Sequence, residues 1–186
     1  MRNAILHPPH ITLHPPFASK RPSDALAGDF AGACRALPDP EPVELEEVTR
    51  FGDAPESAPS QVVMRFSTSW CRPAHQALEF ALRESADPDN PLSAALWPAE
   101  HRGTGFVPHV SLAVGDLPDA PELRVRVAER ATEVANGALA LARFPGSFAP
   151  RRLHLIGYEA AWDSEPGRVL AGPEVVATSE LPSAER

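Results

Sequence analysis

The sequence predicts an α+β fold, in which helices and antiparallel strands follow one another without a regular strand-helix-strand order. Segments with alternating apolar and polar residues recur along the chain, and segments with apolar residues at helical spacing lie between them. The links late in the chain are of hairpin length. With 186 residues, of which 43% are hydrophobic, the chain can bury one compact core. We therefore expect a single domain over residues 1–178 and a polar tail over 179–186 that frays.

The first half of the chain contains strands and helices bounded by prolines. Pro9–His14 alternates apolar and polar residues and is predicted to form a strand that the following two prolines end. Ser23 and Asp24 are typical of a helix start. The same periodicities predict a helix over Ala25–Leu37, strands over Val43–Phe51 and Gln61–Phe66, and a helix over Pro73–Arg83.

The second half begins with a segment of irregular composition and then returns to the same patterns. Phe106–Val114 repeats the strand alternation, and the spacing of Leu and Val predicts a helix over Pro121–Asn136. Gly137 is predicted to end this helix, because glycine is favoured just past a helix terminus. The other predicted elements are a short helical piece over Leu92–Leu96 and strands over Ala138–Phe144, Arg152–Tyr158 and Arg168–Thr178, the last interrupted by Gly172-Pro173.

Charge, hydropathy and cysteine content narrow the class of protein. The net charge of -8 disfavours binding to long nucleic acid, which needs a broad basic surface, but it is compatible with a short end or a single phosphate. No apolar run is long enough to span a membrane, and prolines interrupt the start of the chain before a signal sequence could form. Cys34 and Cys71 make at most one bridge. We expect a cytoplasmic protein that is a monomer and does not bind a membrane.

The main functional signal is a pair of tetrapeptides, His10-Ile11-Thr12-Leu13 and His109-Val110-Ser111-Leu112. Each follows a proline and has the order His, apolar, hydroxyl, apolar. Because side chains alternate across a strand, the imidazole and the hydroxyl share one face and the two apolar residues share the buried face.

This pattern suits chemistry on a phosphodiester. One neutral imidazole can act as general base while the other, protonated, acts as general acid at neutral pH. The hydroxyls can hydrogen-bond the phosphate oxygens. Such a pair needs no metal or other cofactor, since a histidine can deprotonate water directly.

The two tetrapeptides resemble the signature of the 2H phosphoesterases, which include 2'-5' RNA ligase-like proteins and 2',3'-cyclic nucleotide phosphodiesterases. The resemblance implies that His10 and His109 are catalytic and that Thr12 and Ser111 bind the substrate phosphate. It also implies a two-lobed α+β domain in which two antiparallel sheets face a central cleft. The implied activity is metal-independent hydrolysis of a 2',3'-cyclic phosphate or a related 2'-5' diester, with a cyclic nucleotide or a short RNA end as the partner.

The sequence departs from this family at two points. Only nine residues precede His10, where family members usually have a strand and a helix. Either the true start lies upstream, or another strand, for which Val169–Val176 is the candidate, covers the first motif. The second motif is followed by Ala113-Val114, where relatives often have a basic residue.

Several alternatives remain open at this stage. A non-catalytic module could bind a nucleotide or an RNA end in the same cleft. Phe17 and Phe106 flank the motifs and could stack on a base, although core packing is an equal alternative for each. His7, His10 and His14 suggest a metal site only weakly, because no fourth ligand is adjacent. Other side chains have a structural or solvated role as the simplest interpretation: His75, His154, Lys20, Arg21, Arg65, Arg72, Arg102, Glu44, Glu46 and Glu47.

Overall fold

A computed structural model of the chain confirms the mixed α+β class. It describes residues 10–14, 17–51, 59, 61–87, 103–114, 117–158, 160–161, 168–169 and 173–182. The helices of these residues are α1 (Ser23–Arg35), α2 (Cys71–Leu82) and α3 (Pro121–Leu141), with a 3-10 turn at Gly103–Gly105. The strands are β1 (Val43–Phe51), β2 (Gln61–Phe66), β3 (His109–Val114), β4 (Ser147–Phe148), β5 (Arg152–Gly157), β6 (Ala160–Ala161), β7 (Arg168–Val169) and β8 (Glu174–Glu180). Within these ranges, no helix combines the length and apolar composition that crossing a membrane requires.

The chain divides into two compact units, each made of three separate segments. The first unit is built from Met1–Thr12, Glu44–Ser67 and Pro108–Phe148, and the second from Leu13–Val43, Thr68–Val107 and Ala149–Arg186. The two motifs that carry the histidines fall largely in the first unit.

A four-stranded sheet in the order β3-β2-β1-β4 forms the centre of the first unit. β2 pairs antiparallel with both β1 and β3. Val48 of β1 and Val62 of β2 form a buried cluster with Ala128 of α3, so the helix covers one face of the sheet. Because side chains alternate along β2, Val63 lies on the opposite face, and it is fully buried there as well.

Two β-bulges interrupt the register of this sheet. Leu45 and Glu47 are opposite consecutive residues of β2, so Glu46 is the extra residue of β1. In β3 the partners step from Ser111 to Ala113, which makes Leu112 the extra residue. The prediction that Leu112 shares the buried face with Val110 is therefore wrong: Leu112 is 39% exposed, whereas Val110 is 7% exposed.

Helices and a two-stranded sheet form the second unit. α1 packs against α2 and against β5 and β8, which pair antiparallel with each other. The buried side chains include Leu26 and Phe30 of α1 and Leu78 and Leu82 of α2, at the helical spacing that the sequence shows. β8 runs to Glu180, and the next N–H, that of residue 181, donates a hydrogen bond to the carbonyl of Arg151 at 2.8 Å.

The predicted strand over Ala138–Phe144 is wrong, because α3 continues through Gly137 to Leu141. The four residues after Gly137 are Ala-Leu-Ala-Leu, which are among the best helix formers, and they offset the cost of about 1 kcal/mol for one glycine in a helix. The left-handed residue that ends the helix is Arg143, with a φ of 51°. The prediction that Gly137 ends the helix is wrong for the same reason.

The predicted strand at the first motif is also wrong for the residues that can be described, since 10–14 form neither strand nor helix. Prolines precede and follow this segment and have no N–H to donate, which leaves few residues that could pair in a sheet. β8 pairs with β5, so the expectation that Val169–Val176 covers a strand of the first motif is wrong where it can be checked. The predicted helical piece at Leu92–Leu96 lies outside the described residues.

Candidate active site

The second motif begins where β3 begins. Pro108 is buried, and its carbonyl accepts a hydrogen bond from the N–H of Phe66 at 2.9 Å, which fixes the chain beside β2. His109 then lies opposite Arg65 in the sheet register. The imidazole contacts the ring of Phe51 edge to face, with 4.8 Å between the ring centroids. The imidazole is therefore half-buried at the first residue of β3, where the strand leaves the segment that ends at Pro108.

Ser111 lies two residues further along β3, on the same face as His109. Its register partner is Val63, which points away from α3. The serine hydroxyl donates a long hydrogen bond of 3.3 Å to Oε1 of Gln61 and is exposed. The bulge at Leu112 comes after Ser111, so it does not disturb the shared face of the imidazole and the hydroxyl. This sheet face is the candidate site.

A charged group borders the site beside His109. The guanidinium of Arg65 bonds Glu46 through Nε and Glu47 through a terminal nitrogen, each at 2.9 Å. The bulge at Glu46 brings both carboxylates to the same cation. Arg65 is therefore neutralised by the protein itself, and the three side chains together carry one net negative charge.

Phe51 and Gln61 belong to this face, and sequence reasoning did not identify either of them. Gln61 reaches the motif through the antiparallel register, which pairs it with Val114 of β3, whereas Phe51 reaches His109 by the contact of the two rings. The strand pattern predicted both β1 and β2, but it carries no information about which strand lies next to which. No local signal marks these two residues.

The first motif shares the first unit with the second. His10 and Thr12 lie in this unit together with His109 and Ser111, and His10 is exposed. Leu13 is 7% exposed, as expected for the final apolar residue of the motif, and it is the first residue of the second unit.

The two aromatic residues that flank the motifs belong to the second unit and differ in their surroundings. Phe106 is 1% exposed, and its ring is stacked on that of His75 at a centroid distance of 4.2 Å. Because Phe106 is buried in this way, it presents no exposed ring face on which a base could stack. Phe17 is half-buried and meets His14 edge to face at 5.1 Å.

His75 is more central to the second unit than the sequence indicated. It is fully buried on the inner face of α2, between Ala74 and Leu78. The Nδ1–H donates a hydrogen bond to the carbonyl of Leu13 at 2.7 Å. The signal in the sequence was its position on the apolar stripe of the predicted helix, where a histidine needs polar partners.

The two cysteines are not suited to nucleophilic chemistry. Both are free and buried. Burial raises the pKa of the Cys71 thiol to about 12 and also raises the pKa of Cys34, so both thiols stay protonated at neutral pH.

Most of the other cations considered above are engaged in ion pairs. Lys20 lies 3.7 Å from Asp87, and Arg21 lies 2.8 Å from Asp29. Arg102 and His7 lie outside the described residues. In the part of the chain that the structure describes, no three side chains of His, Cys, Asp or Glu are grouped so that they could hold a metal ion.

The sequence comparison agrees with the motifs. The profile of the 2'-5' RNA ligase superfamily matches residues 3–162, which is more than four fifths of the chain and includes both tetrapeptides. The chain therefore belongs to the 2'-5' RNA ligase superfamily, a group of the 2H phosphoesterases, and the resemblance is confirmed. No curated protein matches the sequence. Membership implies an enzyme of the phosphoesterase or ligase type that acts on RNA or nucleotides.

Proposed function

We propose that this chain is a metal-independent phosphodiesterase that hydrolyses a 2',3'-cyclic phosphate or a related cyclic or 2'-5' phosphodiester. His10 and His109 are its acid-base pair, and Thr12 and Ser111 hold the phosphate. The substrate is a cyclic nucleotide or a short RNA end, and Phe17 is the candidate for stacking on its base. Both motifs line the central cleft of one two-lobed domain over residues 1–178, in which two antiparallel sheets face each other, and the protein is a monomer in the cytoplasm.

One observation carries this proposal: His109 and Ser111 share the sheet face opposite α3. An imidazole and a hydroxyl two residues apart on a strand are separated by roughly 6.6–7 Å along the chain, which suits contacts to two different oxygens of one phosphate. The first motif has the same order of residues and lies in the same unit. Family membership supports the same chemistry.

Each imidazole carries out one of the two proton transfers of the reaction. One histidine removes a proton from water, and the water oxygen forms a new bond to phosphorus. The bond between phosphorus and one ribose oxygen breaks, and the second histidine gives its proton to that oxygen. The bound hydroxyls donate hydrogen bonds to the non-bridging oxygens, where negative charge increases in the transition state. The two motifs are equivalent in composition, so either histidine can be the base, according to how the substrate is oriented.

The test is turnover of 2',3'-cyclic nucleotides by the wild type and by single alanine replacements of His10 and His109. Each replacement should lower the rate by about 10²–10⁴-fold, the usual contribution of one general acid or base. His154→Ala is the matched control, since His154 is an exposed imidazole on β5. It should retain the wild-type rate.

Two results would contradict the proposal. Undiminished activity in the double variant His10→Ala with His109→Ala would show that the histidines do not perform the chemistry. A wild type that binds cyclic nucleotides and never turns them over would instead identify a non-catalytic binding module.

A further inference from the structure

His75 connects α2 to two segments of the chain that are far apart in sequence. Its side chain is fully buried, although the proposed reaction does not use it. One ring nitrogen bonds the carbonyl of Leu13, and the other bonds Gly103. The face of the ring is stacked on Phe106, with the planes 10° apart. All four residues belong to the second unit.

The hydrogen bonds fix the orientation of the ring. The Leu13 carbonyl can only accept, so Nδ1 must carry a hydrogen, and this bond is 2.7 Å long. The Gly103 N–H donates to Nε2 at 3.2 Å. Glu79 lies one helical turn away, with Oε2 at 3.3 Å from the same nitrogen. The ring is thus held between the Leu13 carbonyl at one nitrogen and Gly103 and Glu79 at the other.

The segments held by His75 lead directly to the two motifs. Leu13 is the last residue of the first tetrapeptide, three residues after His10. Phe106 comes three residues before His109 and follows the 3-10 turn that begins at Gly103. Three residues of fully extended chain span at most about 10 Å. Each proposed catalytic histidine is therefore only three residues away from a residue that His75 contacts.

We infer that His75 is a positioning residue, whose ring holds both anchor points and so sets the geometry of His10 and His109; this inference rests on the proposed function. His75 cannot contact substrate, because none of its surface is exposed. It acts through Leu13 on one motif and through the turn at Gly103 and Phe106 on the other. Proton transfer depends on placement to within about 1 Å, so a shift of either anchor lowers the rate of the chemical step.

Three replacements separate the contributions of the ring. His75→Phe keeps a flat ring against Phe106 and removes both hydrogen bonds. His75→Asn keeps an amide N–H where Nδ1 bonds Leu13, and His75→Gln keeps an acceptor for Gly103. For folded His75→Phe we expect kcat on 2',3'-cyclic AMP to fall by about 10²-fold, because a shift of the Leu13 anchor displaces His10 and the neighbouring Thr12 together. His75→Asn and His75→Gln should each recover part of kcat.

Hydrogen exchange of backbone amides gives a second measurement that does not depend on turnover. In His75→Phe, the amides of residues 10–13, 104–107 and 109–110 should exchange faster, while those of β1 should not change. His154→Phe is the matched control, because it makes the same replacement at an exposed imidazole. It should alter neither kcat nor the exchange of these segments.

The outcomes distinguish this inference from the proposed function. Folded His75→Phe with wild-type kcat and unchanged exchange would overturn the inference, as would a change in KM alone. If the wild type turns over no cyclic nucleotide, the proposed function fails, and exchange alone decides whether His75 anchors the segments. If His75→Phe does not fold, His75→Asn and His75→Gln provide the same comparison.

Discussion

The hydroxyl of Ser111 illustrates what a single side chain contributes at the proposed site. Its hydrogen bond to Gln61 is long, at 3.3 Å, and it is exposed, so a phosphate oxygen can replace the amide as the acceptor at little cost. Thr12 supplies the equivalent hydroxyl in the first motif. Both are expected to orient the phosphate, whereas the imidazoles transfer the protons.

Replacing either hydroxyl should therefore cost less than replacing either histidine. We expect Ser111→Ala and Thr12→Ala to reduce kcat/KM by the equivalent of about 1.5–3 kcal/mol, the value of one hydrogen bond to a charged group. Ser111→Thr and Thr12→Ser are the matched controls, because they exchange the two hydroxyls that the motifs already use. Steady-state kinetics check this, and an alanine variant with a larger loss than His109→Ala would assign the hydroxyl a different role.

Individual residues also show where reasoning from the sequence ends. The motifs indicated His109 and Ser111 because the pattern is local: the histidine and the hydroxyl residue are two positions apart in the sequence. Phe51 contacts His109, Gln61 contacts Ser111 and His75 contacts Leu13 only in the folded chain. These contacts join positions that are remote in sequence, which no local pattern describes.

At the scale of elements, local pattern predicted some strands to the residue and failed at others. The bounds of β1 and β2 were predicted to the residue, with Pro42 and Gly52 on either side of β1 and Pro59 shortly before β2. The end of α3 was not predicted correctly, because one glycine destabilises a helix less than the alanines and leucines that follow it stabilise it. The first motif has the alternation of a strand, but alternation cannot supply the paired neighbour that a strand needs.

The glycine inside α3 offers a test of this account. A Cβ at Gly137 meets nothing within 4 Å, and the residue is exposed in a helix interior. Gly137→Ala should stabilise the protein by about 0.5–1 kcal/mol, because alanine loses less conformational freedom in a helix. Thermal or denaturant unfolding measures the change.

The control for this variant is a glycine with a different backbone conformation. Gly146 has a φ of 77°, in the left-handed region, and it also has open space around it. Gly146→Ala should destabilise the protein by about 1 kcal/mol. If both replacements stabilise the protein to the same extent, backbone conformation is not the cause.

At the scale of the whole molecule, the proposed mechanism determines how activity responds to its medium. The rate should rise and then fall with pH, because one imidazole must be neutral and the other protonated. The two limbs belong to the coupled pair, so neither can be assigned to one residue. A chelator should leave the rate unchanged. Activity that is lost with chelator and restored by a divalent metal would exclude the mechanism.

The buried thiol of Cys71 makes the stability of the whole fold sensitive to alkaline pH. Burial raises its pKa from 9.0 to about 12, so above pH 9 the unfolded chain loses a proton that the folded chain keeps. The free energy of unfolding should therefore fall between pH 9 and 12, by up to about 1.4 kcal/mol per pH unit for this one group. Cys71→Ala should remove this part of the slope, while the contribution of Cys34 remains in both proteins. Denaturant unfolding at several pH values measures it, and equal slopes would show that the thiol is not protected.

The segments of the two units alternate along the sequence, and this limits how the gene can be cut or recombined. Each unit draws on three stretches of sequence, so the chain passes repeatedly from one unit to the other. A single pair of cuts in the gene cannot excise either unit intact. Genetic recombination can therefore transfer the two units only together. A fusion partner can be inserted without disrupting a unit only at a loop that lies within one of its segments.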